Sequence, residues 1–484
     1  MNHLSQKTNL NQLEKFQNAR SEHWDKVAVR MHKWRGVGGY YHRRLNEIYA
    51  HVIPQGAHVL ELGCGDGNLL ACLKPARGVG VDLSPEMIAL ARQRHPDLQF
   101  EIASAEGFGL DEKFDFVILS DILNEVWDVQ TVLEHVRTLV NPNGRVLINV
   151  HSRLWELPLK VSVKLGLSKP GLGENWLTVS DIKNLLNLSG FESIKTSHEI
   201  LFPFGIPLLS PFFNRFLVRF WPFNHLGLTN FLVARPLQDA HSHKDAPRVS
   251  VIVPARNEAG NIENIINRTP EMGGGTEIVF VEGNSTDDTW QTILEKVKEH
   301  TEKNCLTMQQ TGKGKGDAVR LGFSKATGQI LMILDADLTV PPEDLPRFYE
   351  ALVSGKGDFI NGVRLVYPME DEAMRFFNFL GNKFFSLAFS WLLVQPVKDT
   401  LCGTKVVWKK DYERIAANRH VFGDFDPFGD FDLLFGAARL NFKIIDLPIR
   451  YRARTYGSTN IERWKHGLLL LRMVLFAARR IKFI

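Results

Sequence analysis

The stretch ILMILDADLTVPPEDLP, residues 330–346, reads as a strand too apolar to be exposed, and it ends on two carboxylates with one residue between them. Bringing Asp335 and Asp337 to the end of a buried strand costs free energy unless something cationic meets them. On an extended backbone, residues two apart face the same side. The pair therefore predicts a hard-oxygen site for Mg²⁺ or Mn²⁺ shared with diphosphate oxygens, where the cation would stabilise a leaving nucleoside diphosphate.

Working outward, VSVIVP (249–254), EIVFVE (277–282) and GDFING (357–362) are further strands, and helices are expected to start near Glu258, Asp287, Lys315 and Glu343. Alternating strands and helices imply an α/β fold around a largely parallel sheet. The turns then place Pro254, Asn257 and Glu258, and next Glu282 and Ser285, at the carboxyl edge of that sheet, where two adjacent crevices suit a nucleoside. In TGKGKGDAVRLGF (311–323), Lys313 and Lys315 alternate with glycines ahead of a helix, so ammonium groups and helix-start amides would both meet phosphate.

The N-terminal half follows the same grammar without repeating the sequence. Its strands are HVLELG (58–63), GVGVD (78–82), LQFEI (98–102), FDFVILS (114–120) and RVLINV (145–150). Helices are expected over residues 1–50, and NPNG (141–144) marks a turn before the fifth strand. The first strand runs into GCGDG (63–67), where glycines let the backbone approach a ligand closely, and the second ends in Asp82, whose carboxylate suits the two hydroxyls of a ribose. Glu61 ahead of the glycines is unsuited to facing a pyrophosphate, which argues against NAD.

At 484 residues the chain exceeds one ordinary core. The polar segment QDAHSHKDAP is read as a linker at 238–247, dividing the chain into domains 1–237 and 248–484. Hydrophobic residues at 44% and charged residues at 23% exclude a largely disordered or fibrous protein. Four unpaired-spacing cysteines suggest neither a disulfide framework nor a zinc site, and with no signal-peptide-like start the expected compartment is the cytoplasm. Residues 450–484 carry nine Lys/Arg against Glu462 alone, more excess charge than the whole chain's net +4. Such a block seeks phosphate on a lipid, a substrate or a nucleic acid.

The motifs VLELGCGDG, VDLSPEMIALAR, FDFVILSDILNEV and LVNPNGRVLINV resemble the class I S-adenosylmethionine-dependent methyltransferases over roughly residues 40–235. That resemblance implies a Rossmann-like sheet in which Glu61, Gly63, Gly65, Asp82 and Ala105 bind S-adenosylmethionine, with Asp82 on the ribose and Ala105 beside the adenine. The methyl acceptor would be a sugar or related intermediate. For a hydroxyl acceptor a base is needed, and His151, just past the fifth strand, is a candidate.

The second half resembles glycosyltransferase family 2, in the branch of dolichyl- or polyprenyl-phosphate hexosyltransferases, through VSVIVPARNEAGNI, GKGKGDAVRLGF, LDADLTVPPEDLP, FINGVRLVYP, VKDTLCGTKVVWKKD and FDLLFGAARLNFKIIDLPIRYRARTYG. The likeness implies a GT-A fold and inverting transfer of a hexose from a UDP- or GDP-linked donor. A phosphate monoester acceptor, with a second pKa of about 6, is already anionic at neutral pH. Arginines would position it: Arg364 by its match to that branch, with Arg450, Arg452 and Arg454 as further candidates. Asp430 and Asp432, in FGDFDLLF, keep a hydroxyl acceptor on a glycan or lipid open, each as a possible base.

Two segments bear on the membrane. Residues 376–394 form a wide apolar helix face with Lys383 its only charge, suited to the interface or the core. The tail WKHGLLLLRMVLFAARRIKFI spaces Lys465, Arg472 and Arg479 seven apart, a basic amphipathic helix for an anionic membrane surface. Its leucine-rich context argues against nucleic acid. The sequence thus predicts a two-domain transferase, peripheral on the cytoplasmic face of the membrane. The competing reading makes the N-terminal half a non-catalytic S-adenosylmethionine-binding or docking module.

Overall fold

The computed structural model describes residues 2–31, 39–166, 168–169, 171–173, 175–238, 246–364, 376–419, 430–450, 452, 456 and 463–483. The chain forms two compact units, one built mainly from Met1–Leu237 and the other from Gln238–Lys482.

The first unit holds a seven-stranded sheet of β1 (His58–Leu62), β2 (Arg77–Asp82), β3 (Gln99–Ile102), β4 (Phe114–Ser120), β5 (Val140–His151), β6 (Phe191–Glu199) and β7 (Thr229–Pro236). Their order is β3-β2-β1-β4-β5-β7-β6, with β7 alone antiparallel to its neighbours. After β1 the chain goes one way to β2 and β3, then returns to lay β4 and β5 on the other side. The crevice beyond the ends of β1 and β4 is thus a topological switch point, where open α/β sheets bind ligands. Helices Asn2–Val29 and Gly39–Val52 precede the sheet, as expected. The NPNG turn is absorbed into β5, whose register against β4 jumps from the Phe114–Val140 pair to Phe116–Arg145.

The second unit has β8 (Val249–Ala255), β9 (Thr276–Glu282), β10 (Asn304–Gln309), β11 (Ile330–Ile333), β12 (Phe359–Val363), β13 (Lys405–Trp408) and β14 (Ile444–Pro448). The order is β10-β9-β8-β11-β13-β12-β14, with β13 the reversed strand and the switch point between β8 and β11. All four residues of β11 are fully buried, each large side chain contributing about 1.5–3 kcal/mol.

β11 is shorter than the apolar run suggested. It ends at Ile333, and after Leu334 donates its N–H to Ile252 the backbone turns, with Leu338 N–H returning to the Asp335 carbonyl and Leu338 at φ 55°. Asp335 and Asp337 therefore sit on a turn, which corrects the expectation that an extended backbone would aim both to one side.

Candidate functional site

In the second unit the turn after β11 lies beside the turn after β8. The Asp335 carboxylate receives the Lys315 ammonium at 2.6 Å. Burial alone would raise its pKa, but Lys315, and then Lys405 and Arg364, hold it below its ordinary 3.8, so it is ionised at neutral pH. Lys315 opens the helix Lys315–Lys325, where Gly314 at φ 84° makes the preceding turn. Asp337 accepts at Oδ1 from the Thr339 hydroxyl (2.7 Å) and N–H (3.1 Å). Among the described residues no group of three or more His, Cys, Asp or Glu is placed to hold a metal. Two carboxylates with an ionised Asp335 nevertheless fit a hard cation whose remaining ligands come from a diphosphate.

Gly403 was not singled out in the sequence. A Cβ there would overlap the Asp335 carboxylate and the Lys315 ammonium. Gly403→Ala should therefore destabilise this unit by about 1–3 kcal/mol by overpacking and weaken divalent-ion binding. Thermal denaturation with and without Mn²⁺ checks both; an unchanged Mn²⁺ shift would remove Gly403 from the site.

The predicted nucleoside residues form an interlocked loop network. Asn257, at φ 57°, receives Thr286 N–H on its side-chain oxygen (2.8 Å), while its own N–H donates to Ser285 Oγ (3.0 Å). Pro254 is the penultimate residue of β8. Glu282 is buried and accepts from Ser285 N–H (2.5 Å) and Gln309 Nε2 (3.1 Å). Glu258 is buried against Asn261 Nδ2 (2.8 Å). The two glutamates brace loops around the crevice expected to receive the nucleoside. Gln310, just after β10, is also buried, and its Oε1 has no hydrogen-bond partner among the described residues. Lys313 lies on the loop before Lys315.

Arg364 is the largest departure from expectation. Its Nε and Nη2 donate to Asp399 at 2.7 and 2.9 Å, and its N–H adds a third bond at 3.1 Å. Asp399 is fully buried and also receives Leu401 and Cys402 N–H groups. The guanidinium is held by an internal carboxylate, so an acceptor phosphate would have to share it with Asp399. Asp432 is likewise buried and paired with Arg419 Nε at 2.6 Å, which argues against its being a free base. Asp430 begins the same helix, Asp430–Arg439. Arg450 and Arg452 are exposed, and Arg452 N–H donates to the Thr339 carbonyl (3.0 Å), beside Asp337. Arg454 lies outside the described residues.

In the first unit a cavity of about 730 Å³ is lined by every residue predicted there: Glu61, Gly63, Gly65, Asp82 and Ala105. Gly63 (φ 72°) and Gly65 (φ 50°) take left-handed conformations that glycine adopts without strain. Asp82 is oriented by N–H groups of Gly65 and Ser84, each at 2.9 Å, and burial raises its pKa despite them. Glu61 is buried, its Oε2 without a hydrogen-bond partner among the described residues, and burial, then Asp66, push its carboxyl well above 4.5. An orphaned acceptor on the wall of an open cavity fits a ligand that brings donors, as the amino-acid and ribose ends of S-adenosylmethionine do.

A raised carboxyl pKa stabilises the folded state at low pH and loses that contribution as pH climbs from its ordinary 4.5 through the folded value. Glu61→Gln should remove that loss, raising ligand-free stability at neutral pH by about 1–3 kcal/mol, while weakening S-adenosylmethionine binding. Paired melting curves and calorimetry check this; tighter binding by the variant would contradict it.

Residues 250–403 match the family model for glycosyl transferase family 2, and residues 33–196 match a methyltransferase domain. The chain joins a methyltransferase domain to a family 2 glycosyltransferase domain. The glycosyltransferase domain is similar to the dolichol-phosphate mannosyltransferase of Pyrococcus furiosus, 29% identical over 44% of this chain and 59% of that protein. It is also similar to the Saccharomyces cerevisiae dolichol-phosphate mannosyltransferase, 38% identical over 21% of this chain and 40% of the relative. A Klebsiella pneumoniae undecaprenyl-phosphate 4-deoxy-4-formamido-L-arabinose transferase is 31% identical over 24% of this chain and 37% of its own. The chain thus spans 37–59% of the length of these relatives. Among solved structures, Synechocystis magnesium protoporphyrin IX methyltransferase with bound SAH matches at 18% identity and TM-score 0.33, over 45% of this chain and 98% of that one. Mycobacterium tuberculosis glucosyl-3-phosphoglycerate synthase with Mn²⁺ and UDP matches at 16% identity and TM-score 0.35, over 49% and 80%.

Asp399, Gly403 and Lys405 of the glycosyltransferase domain were visible only as part of VKDTLCGTKVVW. The signal was there: two charges flanking a glycine at the start of an apolar strand. Lys405 is fully buried, and its ammonium donates to the Cys402 carbonyl.

Proposed function

We propose that the glycosyltransferase domain transfers a hexose, with inversion, from a UDP- or GDP-linked donor to a polyprenyl phosphate, and that the methyltransferase domain uses S-adenosylmethionine to methylate a sugar or related intermediate. The observation that carries the first part is Asp335, ionised at the β8/β11 crevice, met by Lys315 and accommodated only because residue 403 is glycine. Asp335 and Asp337 would hold Mg²⁺ or Mn²⁺, which supplies charge neutralisation for the departing diphosphate. Lys313 from its loop and Lys315 from the start of its helix meet donor phosphates. Arg452, whose backbone N–H is tied to Thr339 near Asp337, would offer its exposed side chain to the acceptor. An acceptor phosphate needs no base, and Asp432's commitment to Arg419 favours it over a hydroxyl.

The full chain given a nucleotide hexose and polyprenyl phosphate should make a glycolipid, stop in chelator, and resume with added Mn²⁺. Metal-independent turnover would sink this reading. For the methyltransferase domain, an absence of S-adenosylmethionine binding by calorimetry would instead support a docking role.

Peripheral attachment to an anionic membrane on the cytoplasmic face completes the proposal. Among the described residues no helix is long and apolar enough to cross a membrane. The helix Arg463–Ala477 buries Leu470, Met473 and Ala477 while exposing Leu468, Leu471, Arg472 and Leu475, and Arg479 is exposed just beyond it. Reversing Arg472 and Arg479 to Glu should abolish flotation with anionic vesicles at low salt but leave the fold intact. Equal flotation of the variant would exclude this face as the contact.

A further inference from the structure

A polar cluster on the methyltransferase cavity is, apart from His151, used by none of these assignments. Asp82 ends β2 and Asp121 follows β4, the two strands that flank β1, so their carboxylates reach the cavity from either side of the glycine turn. Asp121 holds a left-handed conformation (φ 55°), uncommon for a residue with a side chain and worth a functional question. Its N–H donates to the Asn149 carbonyl (3.0 Å), and its carboxylate receives Asn149 Nδ2 at 2.6 Å and the Tyr41 hydroxyl at 3.0 and 3.1 Å. The Tyr49 hydroxyl donates to Asn149 Oδ1 (2.7 Å), which fixes the amide so that its nitrogen faces Asp121. His151 Nε2 stands 3.8 Å from Asp121 Oδ1.

The same cavity wall carries Arg43, His42 and Lys169, with Lys169 Nζ 3.4 Å from His42 Nε2. Burial, then Lys169 and His151, push the His42 pKa down to about 3, so it is neutral while Arg43 and Lys169 bring positive charge. The wall also carries Glu61, Asp66, Glu106 and Glu125, so its charge alone does not choose the acceptor. A carboxylate or phosphate acceptor would need no proton removed, leaving so carefully oriented a carboxylate without a task. A hydroxyl acceptor needs one.

We propose that Asp121 stands at the methyl-transfer point and takes the proton of a hydroxyl acceptor, an assignment that rests on the methyltransferase reading. The acceptor oxygen bonds to the methyl carbon as the carbon–sulfur bond breaks, and sulfur keeps that electron pair as a neutral thioether. The hydroxyl proton passes to Asp121, with His151 behind it as the next holder, so the sulfonium charge and the carboxylate charge disappear together. Burial raises the pKa of Asp121 above 3.8, against the opposing influence of His151, Tyr41, Lys169 and Asn149, which strengthens it as a base. Tyr41 and Asn149 act as positioning residues. His151 keeps a part in the chemistry, but Asp121 is the group on the cavity wall.

The test needs no knowledge of the acceptor. Two probes are titrated calorimetrically into the full chain: S-adenosylhomocysteine, and an S-adenosylmethionine analogue with an amine-bearing carbon in place of the sulfonium methyl. The amine would reach the transfer point as a cation. Asp121→Asn should weaken the analogue by about 10- to 100-fold and S-adenosylhomocysteine by less than about threefold. Tyr41→Phe, a milder change, should weaken the analogue alone, by a few fold. Equal losses for both probes would make Asp121 a structural or cofactor residue, and no loss would remove it from the transfer point; either result overturns the proposal. Failure of the unmodified chain to bind either probe would instead overturn the methyltransferase reading beneath it.

Discussion

Asp335→Asn should lower glycosyl transfer by about 10³-fold while leaving the glycosyltransferase domain folded, the scale seen when a preorganised charge-stabilising group is removed. Asparagine keeps the volume next to Gly403 and removes only the charge. Lys315 loses its partner, but both side chains are about a quarter exposed, so water can take over and the stability cost should stay within about 1 kcal/mol. Because Lys315, Lys405 and Arg364 hold the Asp335 carboxyl below 3.8, divalent-ion binding should persist down to the acid side of the usual carboxylate range. Initial rates over a Mn²⁺ titration measure both effects. A variant that keeps a tenth or more of the normal rate at saturating Mn²⁺ would show that Asp335 is not a ligand.

Arg364→Ala should have the largest effect on stability. It strips the two side-chain bonds from a fully buried carboxylate and leaves Asp399 with only backbone donors. Breaking a buried pair in this way costs about 3–5 kcal/mol, equivalent to a fall in Tm of roughly 6–20 °C for a domain of this size. The sign with pH follows from the same pair. Burial alone would raise the Asp399 pKa, but the Arg364 guanidinium holds it below 3.8. Its contribution is complete above the unfolded value and lost as pH falls through the lower folded one, so acid unfolding should begin at higher pH in Arg364→Ala. Combining Arg364→Ala with Asp399→Asn should recover part of the stability, since the uncompensated charge is gone while a side-chain oxygen remains for the backbone donors. If that double variant also regained an ordinary KM for the lipid acceptor, Arg364 would be structural only. A KM still raised in a stable double variant would restore it to the acceptor site.

The alternation of apolar strands with helical patterns was enough to read two α/β halves, and all nine strands expected from it are present. The five that were missed are instructive. β6, β7, β10, β13 and β14 are either partly polar, like FESIKTSHE and NCLTMQ, or hidden in runs such as TKVVWKKD that charge makes look like surface. Glu61, Gly63, Gly65, Asp82 and Ala105 were legible because each sits at or near the carboxyl end of a strand, and one cavity gathers all five. The same rule applied to FDFVILSD would have found Asp121. What sequence spacing did not carry was commitment. Arg364, Glu282 and Asp432 have the charges a ligand site needs, yet partners 13 to 35 residues away in the chain, or loop amides nearby, already use them. Gly403 was illegible for the opposite reason, since its importance lies in what its missing side chain leaves room for.

The most direct test of the account is the product itself. Full-length chain, polyprenyl monophosphate, Mn²⁺ and UDP- and GDP-linked hexoses are incubated together, and the lipid fraction is read by mass spectrometry beside an Asp335→Asn control. One hexose should be added to the polyprenyl phosphate from one of the two donor classes, with the signal lost in the control and in chelator. Hexose found on a hydroxyl acceptor but never on the lipid phosphate, or equal lipid product from Asp335→Asn, would contradict it.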